Sequence, residues 1–356
     1  MDMSCTSKRD RAHRKTRVRS RIDMSRRHQR FGRTGRRKTP QKALAGMGLL
    51  LWCAASASAQ TPQPSAAWLG SVALAAAAAE EPAPSTAPRP AGWSKPIPLS
   101  FSVDYTLVSD YIWRGVNFSE YAGEGREKPN HQMGVGVAYE TEKLGTFSAG
   151  FWFEWFAGQK SLDPASDGHL QEVDYTLSWS YDIESIGVGV EVGWIAYQFP
   201  QSGGDAETSY EWYVGLAFDD SRLFGTDEGV LNPSVTYYQD VDLAPHGQWL
   251  EFGIGHDFAL ADLGCGQTPV LKDLTVSPSL VLGVDHRYFT PSTQLANLTY
   301  GLAFSYDLSS ALAIPEPYGA LSLTGFLNFS QALGLKEDLD GYQDEFYGGF
   351  TLAYEW

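Results

Sequence analysis

Cysteine is scarce: Cys5, Cys53 and Cys265 are the three in 356 residues, too few for a disulfide framework and without the spacing of a paired-Cys metal site. Charged residues are also few, at 19%. From Leu99 onward no apolar run approaches the roughly 18 residues that mark a spanning helix, which excludes a helical membrane bundle there. No Walker-type Gly-Lys sequence and no heme or flavin motif occurs, so no cofactor and no metal are expected. Bases are missing from most of the chain. Residues 1–59 hold 16 of the 27 Lys and Arg but only Asp2, Asp10 and Asp23 among the acids, which leaves 11 basic against 39 acidic residues beyond them. A body that acidic repels phosphate backbones, and nucleic acid is excluded as a partner.

What is present points to strands. Aromatics make up 13% and glycines number 36, a mix suited to many short strands with aromatic surfaces and tight turns. The basic start leads into ALAGMGLLLW at 43–52 and then Ala57-Ser58-Ala59. Positive flank, short apolar core and small residues at −3 and −1 form a secretory signal peptide over 1–59, cleaved after Ala59. Initiation at Met24 would leave a conventional basic segment before the apolar core. Trp52 before Cys53 argues against lipidation. Residues 60–98, rich in Pro and Ala, read as a periplasmic leader. Within them, 66–79 could form a short helix or be the apolar core itself, with cleavage near Ala79. Cleavage at either place leaves Cys265 as a lone thiol, read as a buried or turn residue.

From Leu99 the chain alternates with period two, again and again. In the last segment Phe346, Gly348, Phe350, Leu352, Tyr354 and Trp356 share one face, and Glu345, Tyr347, Gly349, Thr351, Ala353 and Glu355 the other. The same test marks strands at 99–112, 131–140, 145–156, 170–182, 186–198, 208–219, 230–240, 248–260, 272–288, 294–308, 318–332 and 344–356. Most reach the length needed to cross a bilayer at a tilt, about 9–11 residues. The expected fold of 99–356 is therefore all-β, a closed antiparallel transmembrane β-barrel of about 12 strands. Connections at 140–145 and 182–186 are short and those at 113–130, 157–169 and 199–207 long, as expected of periplasmic turns and outer loops, while 219–229 and 261–271 break that alternation. A terminal aromatic, Trp356, on such a strand fits recognition by the barrel-assembly machinery, and the surround is outer-membrane lipid.

The stretch YTLVSDYIWRGVNFSEY at 105–121 resembles the opening of the TorF-like family of outer-membrane porins, through Ser109, Asp110, Tyr111, Trp113, Arg114 and Gly115. Similar echoes fall at Glu172-Val173-Asp174-Tyr175, Tyr197-Gln198-Phe199-Pro200 and Tyr210-Glu211-Trp212-Tyr213-Val214-Gly215. Asn117-Phe118-Ser119-Glu120 departs from the family's small polar residues. The resemblance implies a porin fold and no particular ligand.

With apolar side chains toward lipid, parity assigns the lumen. It points inward Asp104, Asp110 and Arg114 from the first strand, Glu154 from the third, and Glu172 and Asp174 from the fourth. Farther along come Glu191, Glu211, Glu251, Asp257, Asp285 with Arg287, Asp307 and Glu355. Acids far outnumber bases, so a pore here is expected to prefer cations. Arg114 reads first as a structural bridge to Asp104 or Asp110, since a charge away from water needs a partner. Twelve strands lie between the filled barrels of about 8 and the open channels of about 16, which predicts a narrow path for ions or small solutes.

Two other functions fit the same outline. A barrel lipid hydrolase needs a Ser and a His as nucleophile and base. His286 lies outward on the ninth strand with no Ser motif beside it, and His256 heads toward the other leaflet, so no catalytic residue is assigned. A non-conducting binding or structural barrel would act through its loops, among them Glu337-Asp338-Leu339-Asp340-Gly341. That acidic stretch lacks the full ligand spacing of a calcium loop and reads as a solvated loop.

Overall fold

The computed structural model describes residues 98–121, 129–141, 143–157, 169–200, 208–265, 267–268, 270–338 and 342–356. The expected signal peptide and nearly all of the leader lie outside the described residues. Twelve strands form the wall: β1 Leu99–Val108, β2 Asn130–Thr141, β3 Gly145–Phe156, β4 Leu170–Ile183, β5 Val188–Gln198 and β6 Thr208–Phe218. The second half contains β7 Ser234–Asp240, β8 Gln248–Gly255, β9 Leu274–His286, β10 Thr293–Asp307, β11 Ala320–Ala332 and β12 Glu345–Glu355. Each pairs antiparallel with the next, and β12 returns to β1, with Ser102 opposite Glu355 and Val108 opposite Gly349. Among the described residues the ladder has no free edge, so the wall strands pair their backbones with one another rather than with water.

Alternation decides which face meets what. Along β1, Val103, Tyr105 and Leu107 are exposed while Asp104, Thr106 and Val108 are buried. On β12 Phe346 and Phe350 are 66% and 63% exposed, against 5% for Tyr347 between them. An outer surface of exposed Phe, Leu, Val, Tyr and Trp would be unfavourable in water and is what a hydrocarbon surround requires. Among the described residues no helix is long and apolar enough to cross a membrane; the strands do the crossing.

The two ends of the barrel differ. At the end where β1 starts and β12 finishes, the terminal end, the connections after β2 and β4 are short, and the first is closed by Gly145 at φ +76°. A Cβ there would overlap the Ser180 carbonyl, so the tight turn requires glycine. The later connections at this end are longer and partly helical, including Ser221–Phe224 and Leu308–Leu312. Cys265 ends a helical turn, Ala261–Cys265, half-buried.

Strand ends depart from the periodicity in two instructive places. The expected strand 99–112 stops at Val108. The chain then bends inward and forms a small hairpin, Ile112–Trp113 against Val116–Asn117, whose turn is Arg114 and Gly115 with φ of +52° and +78°. The expected strand 248–260 is interrupted after Gly255 and resumes only at Phe258–Ala259.

Candidate functional site: an acidic, plugged lumen

The hairpin from the β1–β2 connection carries Arg114 into the barrel. Its guanidinium makes two parallel hydrogen bonds to Glu211 on β6, Nη1 to Oε1 at 2.7 Å and Nη2 to Oε2 at 2.9 Å, and both side chains are fully enclosed. Such a fork is the strong form of an ion pair. Four rings surround the guanidinium: Trp113 at 4.4 Å, Tyr288 at 4.5 Å, Tyr238 at 4.8 Å and Trp249 at 5.4 Å. The carboxylate is held from other sides too, by the hydroxyls of Tyr288 at 2.5 Å and Tyr197 at 3.0 Å. Arg114 Nε makes no hydrogen bond.

Three far-end connections meet here. The hairpin is one. The second is the turn after β9, where Asp285 accepts from the amides of Tyr288 and Thr290 and from the Thr290 hydroxyl, at 2.7, 3.2 and 3.0 Å, aiming Tyr288 and Phe289 inward. The third runs from β11 to β12 and supplies buried Leu335 and Tyr342, whose hydroxyl donates to the Arg114 carbonyl at 3.2 Å. A Cβ on Gly115 would collide with that hydroxyl, so glycine is needed there for space as well as for φ. Together with Val116, Ile195, Tyr213, Tyr238 and Trp249 they pack the far half of the lumen.

The wall around this plug is acidic. Asp104, Glu154, Glu172, Asp174, Glu191 and Glu211 are all buried on the inner face, and Glu251 points the same way. Phenols partner several of them: Tyr111 donates to Glu172 at 3.0 Å and Tyr213 to Glu191 at 2.6 Å, while the Trp249 indole donates to Glu251 at 3.0 Å. Glu154 faces Glu172 directly across the ladder at a bulge, with Gln132 on its other side, and its two oxygens are enclosed without a hydrogen bond of normal geometry. Among the described residues Arg114 is the only buried Lys or Arg. Toward the terminal end the inner face changes to small residues, such as Gly215, Gly253, Ser279 and Gly301.

Several expected placements need correction. The partner of Arg114 is Glu211, neither Asp104 nor Asp110, because the hairpin throws the side chain across the lumen to β6. Arg287 is exposed: β9 ends at His286, and Arg287 takes φ +61° in the turn that follows. Glu355 faces inward by register with Ser102, but it is exposed at the terminal rim. Asp307 is likewise exposed, and it caps the helix Leu308–Leu312 through the amides of Ser309 and Ser310. Asp257 is buried in the interruption after β8, and Asp110 is buried just past β1, so neither lies on a wall strand.

The other candidates also have definite surroundings. His286 bonds to the Thr293 hydroxyl, and His256 packs on Phe258 with ring centroids 4.4 Å apart. Glu337 and Asp338 end the short helix Leu335–Asp338, while the remainder of the acidic stretch, 339–341, lies outside the described residues. Sequence reasoning missed Asp240, Tyr197, Trp249 and Tyr288. Asp240 is almost fully buried and accepts from Ser209 at 2.7 Å. The signal for Trp249 was its parity with Glu251, two residues on.

Closure, parity and inward-folded loops define the class: a closed, twelve-stranded antiparallel barrel of the membrane-spanning kind, plugged in its far half. The family model that matches, over residues 94–223, is that of a bacterial protein of unknown function, Gcw_chp. It covers the part of the chain that carries the TorF-like echoes and supplies no activity, so that likeness stays a resemblance. No curated protein matches. Among solved structures, the KdgM porin is similar at 12% identity, with 71% of this chain and 98% of that one covered and a TM-score of 0.37. An outer membrane channel from Pseudomonas putida F1 is similar at 8% identity, with 75% and 99% covered and a TM-score of 0.42. Outer membrane phospholipase A from Escherichia coli is similar at 13% identity, with 72% and 92% covered and a TM-score of 0.35. At that level of likeness the functions of those proteins do not carry over. The strand count and closure come from the chain's own ladder.

Proposed function

We propose that this barrel lies in a bacterial outer membrane and passes ions or small solutes through a narrow lumen that prefers cations. One observation carries the reading: the buried inner face bears many carboxylates, while its one buried base among the described residues, Arg114, is already neutralised by Glu211. Fixed carboxylates concentrate cations and repel anions at close quarters. Toward the terminal end the inner face carries small residues such as Gly215, and the packed far half would set the narrow part of the path. Entry to the membrane would use the β12 strand ending at Trp356, whose ring stacks on Phe101 across the closing seam.

The test is single-channel conductance of the refolded protein in a planar bilayer under a salt gradient. Steps with a reversal potential of the cation sign support the reading, and anion-selective steps would remove the preference for cations. The packed far half favours a second reading, a barrel that binds or braces without conducting. A folded, heat-modifiable barrel with no conductance would establish that alternative.

A further inference from the structure

The wall around Glu211 is built like a receptor, and Arg114 is its occupant. Glu211, Tyr197, Tyr238 and Trp249 belong to four consecutive strands, β5 to β8, and Tyr288 to the turn beyond them. Arg114 arrives from the opposite arc on a connection that leaves β1. The Glu211 carboxylate is fixed by two phenol hydroxyls that do not involve the arginine. Its two oxygens, turned to a planar fork and flanked by ring faces, match the guanidinium in shape, charge and hydrogen-bond pattern. A sodium ion or an alkylammonium would use the charge but not the fork.

We propose that the Glu211 pocket is a binding site for planar organic cations of the guanidinium and amidinium class, held in this conformation by the protein's own Arg114. The hairpin is then a tethered competitor, whose withdrawal opens the site to solutes of the same chemistry. This rests on the reading of the lumen as a path for cations and names the class of cation its narrow part selects.

The test uses the full chain refolded in detergent, with the variant Arg114→Met, which keeps the stem and removes the fork. Methylguanidinium chloride is titrated in the millimolar range against equal sodium chloride, reading tryptophan emission, to which Trp113 and Trp249 contribute, and the unfolding temperature. Arg114→Met is expected to show a saturable emission change and a rise of about 2–5 °C with methylguanidinium alone. Wild-type protein, its pocket filled, shows neither. The double variant Arg114→Met/Glu211→Gln is expected to bind at least about tenfold more weakly.

Equal responses to methylguanidinium and sodium, or an undiminished response in the double variant, would overturn the proposal. Should Arg114→Met not refold alone, recovery by methylguanidinium and not by sodium supports the site, and equal yields in the two salts overturn it. These readouts need no current. A barrel that binds methylguanidinium yet never conducts loses the channel reading and keeps the site.

Discussion

The two halves of the lumen solve opposite problems with the same twelve strands. Toward the terminal end the inner face is richer in Ser, Thr and Gly, and hydroxyl pairs such as Ser305 with Thr324 at 2.9 Å tie neighbouring strands together. Near the far end the inner face is Glu, Asp, Tyr and Trp, and loops enter to complete it. Charge explains the difference. Carboxylates taken from water need donors, and a strand wall alone offers few, so the far half recruits phenols and a guanidinium. The terminal half has fewer inner-face carboxylates to satisfy, and the one opposite Gly215, Glu191, takes its donor from Tyr213.

Substitutions that trade features between the halves test this contrast. The largest effect is expected from Glu211→Ala, which strands the buried Arg114 and should cost about 3–5 kcal/mol, read as lowered denaturant resistance in detergent. Trp249→Ala removes a wholly buried ring beside the guanidinium and should cost a similar or slightly smaller amount, about 3–4 kcal/mol in the same assay. A pair of glycine changes then locates the boundary. A Cβ on Gly193 would overlap the Tyr213 ring, whereas on Gly215 its nearest neighbour is 3.6 Å away. Gly193→Ala should therefore cost about 1–3 kcal/mol and Gly215→Ala less than about 1 kcal/mol; equal costs would break the contrast.

Smaller effects are expected outside the lumen. Lys336 and Asp344 approach to 3.4 Å with both side chains about half exposed, and Lys336→Ala should change stability by less than about 0.5 kcal/mol. Asp219, in the β6–β7 connection, accepts hydrogen bonds from the Ser221 hydroxyl and amide, which hold its carboxyl below the usual range. A lowered folded value means its contribution is present above the ordinary carboxylate range and fades as pH falls through the folded value. Asp219→Asn should remove only that acid-side fraction of the unfolding curve's pH dependence.

The wall was legible in the sequence because parity is a local property. A residue's face follows from its neighbours two positions away, and each wall strand overlaps its expected span within a few residues. The plug was not legible, for the same reason. Tyr111 and Trp113 continue the alternation past Val108, so the hairpin read as more strand, and nothing within 97 residues of Arg114 announces Glu211. The rule that apolar faces meet lipid also hid the inward aromatics, since Tyr197 and Tyr288 carry a phenol that serves a carboxylate. Arg287 failed at a boundary: alternation ran through His286, but Asp285 had already begun to cap the turn.

The hairpin also carries a consequence for assembly. β1 bonds to β2 on one side and to β12 on the other, so the strand that delivers Arg114 is also half of the closing seam. The ion pair to β6 and the Tyr342 bond, which joins residues 228 positions apart, form only between parts of the chain distant in sequence. Contacts of such separation are entropically late. Seating the stopper is thereby expected to come with or after the closing of the cylinder, as one of the last threads tied rather than the first.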